Sequence, residues 1–132
     1  MEVKKLIKGV GSQRVTTQGQ ENNMVIYTRL ARLLSGGKRG ITLYPFILII
    51  PELRDDEVIL NHERIHIEQQ RELYVGGFYV LYVLYWLYGL LTGPQGAYRN
   101  IPFEREAYDN QQNADYLSIR APHSWTKYRR GK

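Results

Sequence analysis

The pattern of hydrophobic and polar positions divides the chain into a polar beginning, one strand-like apolar run and three helical stretches. Residues 1–23 alternate weakly and are rich in Gly, Gln, Thr and Asn, which predicts short strands or ordered loops. Residues 24–34 fit a short helix or a strand, which the glycine-rich turn at 36–40 ends. Residues 41–50 are rich in β-branched and aromatic side chains and predict a strand. Because Pro45 cannot donate a backbone hydrogen bond, we expect this strand at a sheet edge or with a bulge.

Two of the three predicted helices have clear start signals. The first begins at a cap on Asp55 or Asp56 and extends to Leu73. The last begins at Pro102, because proline is favoured at the first helical position, and extends to about Ile119. These elements predict a mostly helical α+β fold in a single domain, as expected for 132 residues. Its less regular parts are the N-terminal strands and loops (1–40) and a basic tail (120–132).

The middle helical stretch, 73–91, carries no charged residue over nineteen positions and is long enough to be a candidate membrane span. Its tyrosines are distributed throughout, whereas a span concentrates them at its two ends, and glycines at 76, 77 and 89 interrupt it. We therefore predict a buried or half-buried helix whose tyrosines pack in the core. One stripe of this helix carries Tyr74, Phe78, Leu81, Tyr85 and Tyr88, and another carries Leu73, Val80, Leu84, Leu87 and Leu91.

The candidate chemistry is concentrated in an HExxH motif, His-Glu-Arg-Ile-His at positions 62–66. Residues four apart lie on the same face of a helix, so His62 and His66 can reach one metal ion. Glu63 lies about 100° round the helix from His62, where it can act as general base on a metal-bound water. Gln69 shares the face of the histidines and can support a ligand, whereas Arg64 falls on the opposite, charged side.

Two histidines leave such a site one protein ligand short. Glu104 shares a helix face with Tyr108 and is the better candidate to face the interior. Glu106, on a different face, and His123, the only other histidine, are the alternatives for the third ligand. If such a metal site hydrolyses a carbonyl compound, it also needs a group that stabilises the oxyanion of the transition state. Tyr98, Tyr108 and His123 are candidates by residue type.

The two segments together resemble gluzincin-type zinc metallopeptidases, in which an ExxA segment on a later helix supplies the third ligand. Glu104-x-x-Ala107 is the matching segment here. The HExxH motif and the Ile-Glu-Gln-Gln that follows it are similar to small bacterial zincin-like domains. This resemblance implies a zincin-like active-site helix preceded by an edge strand, Zn²⁺ held by His62, His66 and Glu104, and hydrolysis of a peptide or protein substrate with Glu63 as base.

The composition restricts which partners the protein can bind and where in the cell it is located. Eighteen Lys and Arg against thirteen Asp and Glu give a net charge of +5, which favours anionic partners without choosing among them. The absence of cysteine excludes disulfides, thiolate metal ligands and a cysteine nucleophile. The N-terminus lacks the apolar run of a signal peptide, which predicts a cytoplasmic protein.

Peripheral membrane contact through 73–91 and the basic tail would make this cytoplasmic protein membrane-associated. A tail that mixes basic and aromatic residues can also bind nucleic acid, but no recognised nucleic-acid motif accompanies it, so we disfavour that partner. A chain of this length offers little surface for a deep substrate cleft, and a homo-oligomer would complete one.

Three functions compete on this evidence. The first is a zinc metallopeptidase, and the second is a membrane-associated or partner-binding scaffold with a structural or vestigial zinc site. The third is a helical membrane protein with an accidental HExxH motif. A single span through 73–91 would place His66 and Glu104 on opposite sides of about 30 Å of hydrocarbon, so this third function predicts no shared metal.

Overall fold

The computed structural model describes residues 24–129, and these form an α+β fold in which helices predominate. Its strands are β1 (Met24–Tyr27), β2 (Gly40–Leu43) and β3 (Phe46–Ile49), and its helices are α1 (Leu30–Leu34), α2 (Glu57–Glu72), α3 (Gly76–Thr92), α4 (Pro102–Asn110) and α5 (Tyr116–Ile119). Short 3₁₀ helices cover Pro51–Leu53 and Ser124–Tyr128. The predicted class is confirmed, and the predictions for 1–23 and 130–132 lie outside the described residues.

The three strands form one sheet in the order β1-β3-β2. Strand β3 is central and pairs in parallel with β1 and antiparallel with β2. The prediction of one strand over 41–50 is wrong, because the chain turns at Tyr44 and Pro45 and returns as β3. Pro45 lies in this turn, where its missing N–H breaks no ladder. Strand β2 is an edge strand and lies against α2.

Helix α2 starts and ends for different reasons. Asp56 caps its first turn by accepting hydrogen bonds from the backbone N–H groups of Val58 and Ile59, as predicted. The helix ends where Tyr74 and Val75 adopt positive φ angles of 55° and 62°. The break therefore precedes the two glycines, which belong to the first turn of α3. The axes of α2 and α3 differ by 111°.

Two hydrophobic clusters hold these elements together. The first joins the sheet to α2 through Val25, Ile47, Ile49, Leu60 and Ile67. The second joins α3, α4 and the last 3₁₀ helix through Phe78, Ile101, Phe103 and Trp125. Since Trp125 is only 7% exposed, the described part of the predicted tail is folded against the domain.

Helix α3 is half-buried, as predicted, but not all tyrosines of 73–91 pack in the core, because Tyr74 and Tyr88 are 89% and 65% exposed. Phe78 is buried, and Leu81, Tyr82 and Tyr85 pack against the second cluster. The opposite face exposes large hydrophobic side chains, namely Val80, Val83, Leu84, Trp86, Leu87, Tyr88, Leu90 and Leu91. Of the helices in residues 24–129, none is both long and apolar enough to cross a membrane by itself; the α2–α3 pair passes by length and composition but is bent.

Helix α4 begins at Pro102 as predicted but ends at Asn110, well before Ile119. The reason is a tertiary contact: the side-chain amide of Asn61, on α2, donates to the backbone carbonyls of Asn110, Gln111 and Asn113. The carbonyls of Asn110 and Asn113 also accept backbone hydrogen bonds from Asn113 and Tyr116, so Asn61 matters most for the carbonyl of Gln111, just past the end of α4. A loop and the separate short helix α5 follow.

Candidate metal centre

The structure brings together the three metal ligands that the sequence predicts. His62 and His66 lie one turn apart on α2, Glu104 lies in the first turn of α4, and all three are buried. Their ligand atoms lie within 4.8 Å of one another. The group could therefore hold a metal ion, and its members come from two helices separated by the whole of α3.

The spacing of the ligand atoms fits a small divalent ion. The Nε2 atom of His62 lies 3.2 Å from Oε1 of Glu104, and Nε2 of His66 lies 3.2 Å from Oε2 of the same carboxylate. Two ligands bound about 2.1 Å from a tetrahedral ion lie about 3.4 Å apart. The imidazole nitrogens and the carboxylate oxygens therefore need to move apart only slightly to bind an ion.

Hydrogen bonds on the far side of each imidazole fix its orientation. The Nδ1 atoms of His62 and His66 lie 2.7 Å from the side-chain oxygens of Gln111 and Gln69, respectively. An amide oxygen only accepts hydrogen bonds, so both Nδ1 atoms carry protons. Each Nε2 can then present its lone pair to an ion.

The charges in the metal-free cluster compensate one another. Burial would lower the pKa of His66, but the neighbouring Glu104 carboxylate more than offsets burial and raises this pKa to about 9. Burial would raise the pKa of Glu104, but His66 and His62 hold it well below its usual range. The site therefore carries a buried carboxylate that favours a cation beside it, whether a proton on His66 or a metal ion.

Glu106, the alternative third ligand, points away from this cluster. Its carboxylate accepts hydrogen bonds from Arg120, Tyr116 and the side-chain amide of Gln69. The same Gln69 amide donates to the carbonyl of Phe103. Glu106 thus fixes Gln69, which in turn supports His66. Glu106 therefore supports a candidate ligand indirectly, through Gln69, and is not itself a ligand in this arrangement.

Glu63, the predicted general base, lies beside the cluster and is 5% exposed. Its Oε1 atom accepts a 2.6 Å hydrogen bond from the hydroxyl of Thr42 on strand β2. A Cβ atom at Gly40 would lie 3.2 Å from Oε2 of Glu63 and 3.2 Å from the carbonyl oxygen of Leu48. Strand β2 therefore holds the carboxylate by one hydrogen bond and makes room for it with one glycine.

The oxyanion candidates separate into two groups. Tyr98 lines the space next to Glu63, and the ring of Tyr108 packs 4.5 Å from that of His62, measured between centroids. Burial and the nearby Glu104 raise the pKa of Tyr98, so it stays protonated and can donate. His123 is exposed at the start of the last 3₁₀ helix, outside the cluster, and can be neither ligand nor oxyanion donor there.

Three residues that support the cluster were not identified from the sequence, and one residue of α2 was misplaced. Thr42 and Gln111 support Glu63 and His62, and the hydroxyl of Tyr82 donates to Oε2 of Glu104 over 2.9 Å. The only sequence signal for Tyr82 was its place in the uncharged, tyrosine-rich segment 73–91, because a buried tyrosine hydroxyl usually finds a hydrogen-bond partner. Arg64 was predicted to face outward, but it is 5% exposed, because α2 is enclosed on several sides.

Two cavities meet at Glu63 and form the access to the cluster. One, of about 240 Å³, lies on the side of His66 and Glu104, and the other, of about 330 Å³, lies on the side of His62. Both are lined by Lys38, Gly40, Glu63 and Tyr98. A bound substrate would thus reach the candidate metal position from two differently lined spaces.

Comparison of the chain with family models, curated proteins and solved structures finds no significant match. The resemblance to gluzincins therefore stays a prediction that depends on the motif residues and their geometry.

Proposed function

We propose that this chain is a zinc-dependent metallopeptidase in which Glu63 is the general base. The observation that carries the proposal is the convergence of His62, His66 and Glu104 beside cavities that Glu63 also lines. Catalytic zinc sites use three protein ligands and keep one position open, whereas structural sites use four. Among residues 24–129, the cluster consists of three such side chains.

Zinc is the metal that best fits the donor set. Two imidazoles and one carboxylate at tetrahedral spacing are typical of catalytic zinc sites, whereas magnesium and calcium prefer six or more oxygen ligands. When bound, zinc would supply Lewis acidity, which activates a water molecule and polarises the substrate carbonyl. His62, His66 and Glu104 would hold it.

Glu63 performs the proton transfers in this proposal. Its carboxylate takes a proton from the attacking water and returns it to the leaving amine. The Thr42 hydrogen bond occupies Oε1, which leaves Oε2 for the reacting groups. Tyr98 and Tyr108 are the candidates to stabilise the oxyanion, because Tyr82 already donates to Glu104.

The edge of β2 can bind only a short part of an extended peptide. The side chain of Gln70 donates to the carbonyl of Thr42 and accepts from the N–H of Tyr44, as a neighbouring strand would. Tyr79 donates to the same Thr42 carbonyl. Added-strand pairing with a substrate is therefore restricted to the part of β2 near Gly40.

A metal and activity assay on four proteins tests the proposal. We expect about one zinc per wild-type chain by elemental analysis, and none in Glu104→Ala. Glu63→Gln should keep the zinc and lose hydrolysis of a peptide library, whereas Arg71→Gln, at an exposed position on α2, should keep both. Hydrolysis that survives in Glu63→Gln would contradict the role of this residue.

A second candidate function follows from the exposed apolar face of α3: a membrane-associated or partner-binding scaffold with a structural or vestigial zinc site. No acidic residue occurs between Glu72 and Glu104, and the exposed Lys127 and Arg129 extend from the 3₁₀ helix that packs against α3. Both features suit an anionic bilayer.

Sedimentation with anionic vesicles at several salt concentrations tests this function, with Leu87→Ser as the variant. Zinc-bound protein that sediments with vesicles but cleaves no peptide would favour the scaffold. If light scattering shows a dimer, and Leu87→Ser dissociates it, this face would instead be assigned to a homo-oligomer interface. The predicted cytoplasmic location stays a prediction.

A further inference from the structure

We infer that the proposed peptidase selects substrates with a large apolar side chain on one side of the scissile bond and a carboxylate on the other. This inference rests on the proposed function and adds the substrate class. It starts from the unlike linings of the two cavities that meet at Glu63.

The cavity on the His66 side has a mainly apolar lining, although it shares Lys38 and Glu63 with the other cavity. Leu34, Ile41 and Phe78 contribute hydrocarbon, and Tyr79 and Tyr82 contribute aromatic rings. The hydroxyls of both tyrosines are already engaged, since Tyr79 donates to the carbonyl of Thr42 and Tyr82 to the carboxylate of Glu104. An apolar cavity of about 150 Å³ can hold benzene, so about 240 Å³ is sufficient for an aromatic or long aliphatic side chain.

The cavity on the His62 side has a polar lining that includes two cations, Lys38 and Arg39, and two carboxylates, Asp56 and Glu63. Among residues 24–129, neither cation forms an ion pair with a carboxylate. The Nζ atom of Lys38 lies 4.2 Å from the centroid of the Tyr98 ring, which places this ammonium near the junction of the cavities. Arg99 is not a lining residue, but its guanidinium lies 3.7 Å from the centroid of the ring of Tyr108, which is one.

The two carboxylates that line the cavity on the His62 side, among the described residues, already accept hydrogen bonds from other groups. Asp56 accepts from the backbone N–H groups of Val58 and Ile59 at the start of α2. Glu63 accepts from Thr42 and faces the candidate metal position. The lysine and arginine charges therefore stay available to a carboxylate on the substrate.

The position of Glu63 separates the two substrate groups. Because Glu63 acts on the scissile bond and lines both cavities, the groups on the two sides of that bond enter different cavities. The carboxylate could belong to an acidic side chain or to a free peptide C-terminus, and both present the same chemistry to Lys38 and Arg39.

The test compares matched peptides on the zinc-loaded full chain. The reference peptide has Phe on one side of the bond and Glu on the other, and its partners replace Glu by Gln, Phe by Ser, or the free C-terminus by an amide. We expect kcat/KM to fall about fivefold for Gln, as for a partly exposed charge pair. We expect a fall of about tenfold or more for Ser. A fall with the C-terminal amide instead of with Gln would assign the carboxylate to the terminus.

Variants of the cavity assign these preferences to their residues. Lys38→Gln and Arg39→Gln should each reduce the preference for Glu over Gln, and Lys38→Glu should reverse it toward a Lys-containing peptide. The control Arg71→Gln, outside both cavities, should leave it unchanged. Binding of the same peptides to zinc-loaded Glu63→Gln protein should show the same order without any turnover.

The outcomes separate this inference from the function on which it rests. Equal cleavage of all matched peptides would overturn the substrate class and leave the peptidase proposal intact. A preference that survives in all three cavity variants would also overturn it. If zinc-loaded wild-type protein cleaves no peptide in a broad library, the proposed function itself fails, and the inference fails with it.

Discussion

Replacing Arg120 by methionine should destabilise the protein far more than a surface charge change would. The Arg120 side chain is 3% exposed and pairs with Glu106, which is fully buried, and with Glu72, which is 13% exposed. It donates four hydrogen bonds to these two carboxylates. Removal of one partner from a buried pair leaves an uncompensated charge and costs about 3–5 kcal/mol of unfolding free energy.

The matched control is Arg71→Met, because Arg71 pairs with Glu68 three residues earlier and its side chain is 44% exposed. A pair of this kind contributes about 0.5 kcal/mol or less. Urea unfolding followed by circular dichroism measures both changes. A second control, the double variant Arg120→Met with Glu106→Gln, removes both charges and should recover much of the loss.

Arg120→Met should also weaken zinc binding, because Glu106 orients Gln69 and Gln69 orients His66. Loss of a group that contacts a ligand directly typically costs 10- to 100-fold in metal affinity. Arg120 acts through both Glu106 and Gln69, so we expect a smaller rise in the Kd for zinc, of up to about tenfold. Equal unfolding free energies for Arg120→Met and Arg71→Met, with unchanged zinc affinity, would refute the reasoning that connects this ion pair to the metal cluster.

Three further changes have direct readouts. Gly40→Ala places a Cβ atom 3.2 Å from Oε2 of Glu63, so hydrolysis should slow while zinc content stays at the wild-type level; normal kinetics would show that Glu63 adapts freely. Zinc should bind more tightly as pH rises, about tenfold per pH unit below pH 9, because the ion must displace the proton that Glu104 holds on His66. The His66–Glu104 pair should stabilise the metal-free protein most between about pH 4.5 and 6.5. Its contribution is lost as pH rises through the pKa of His66, about 9, and it falls at acid pH because the pKa of Glu104 is held below its usual range; pH-dependent urea titrations would measure both limbs. Asn61→Ala leaves the carbonyl of Gln111 without its side-chain donor, while those of Asn110 and Asn113 keep backbone donors, and should cost about 0.5–1.5 kcal/mol by thermal or urea unfolding; a neutral result would mean that water replaces the amide.

Local chemistry explains why the starts of α2 and α4 could be predicted and the end of α4 could not. The end of α2 was predicted at Leu73 and lies one residue earlier, at Glu72. The cap at Asp56 and the proline at 102 act within their own first turns, so the sequence alone carries these signals. The end of α4 depends on Asn61, which lies about 50 residues earlier in the chain. The chain reversal between β2 and β3 depends on which strand occupies the centre of the sheet, and that choice is made by long-range packing.

The candidate site divides in the same way. Helical spacing was sufficient to pair His62 with His66. The expectation that Glu104 faces the interior is met, but Glu106 is buried as well, so burial alone does not separate the two; their hydrogen-bond partners do. The supports of these ligands come from distant elements: Thr42 from a strand, Tyr82 from α3 and Gln111 from the loop after α4. Periodicity describes one element at a time, so it has no means to identify a hydrogen bond between two of them.

The electrostatics of the cluster imply that the fold and the metal are only partly coupled. An unpaired buried carboxylate would cost several kcal/mol, but Glu104 has the imidazole of His66 and the hydroxyl of Tyr82 as partners without any ion. A zinc finger, in contrast, has no folded state without its metal. Because a proton on His66 can take the place of the ion, metal binding here exchanges one cation for another within a site that the two hydrophobic clusters have already assembled. We therefore expect a protein that folds without a metal ion and whose affinity for the ion depends on pH.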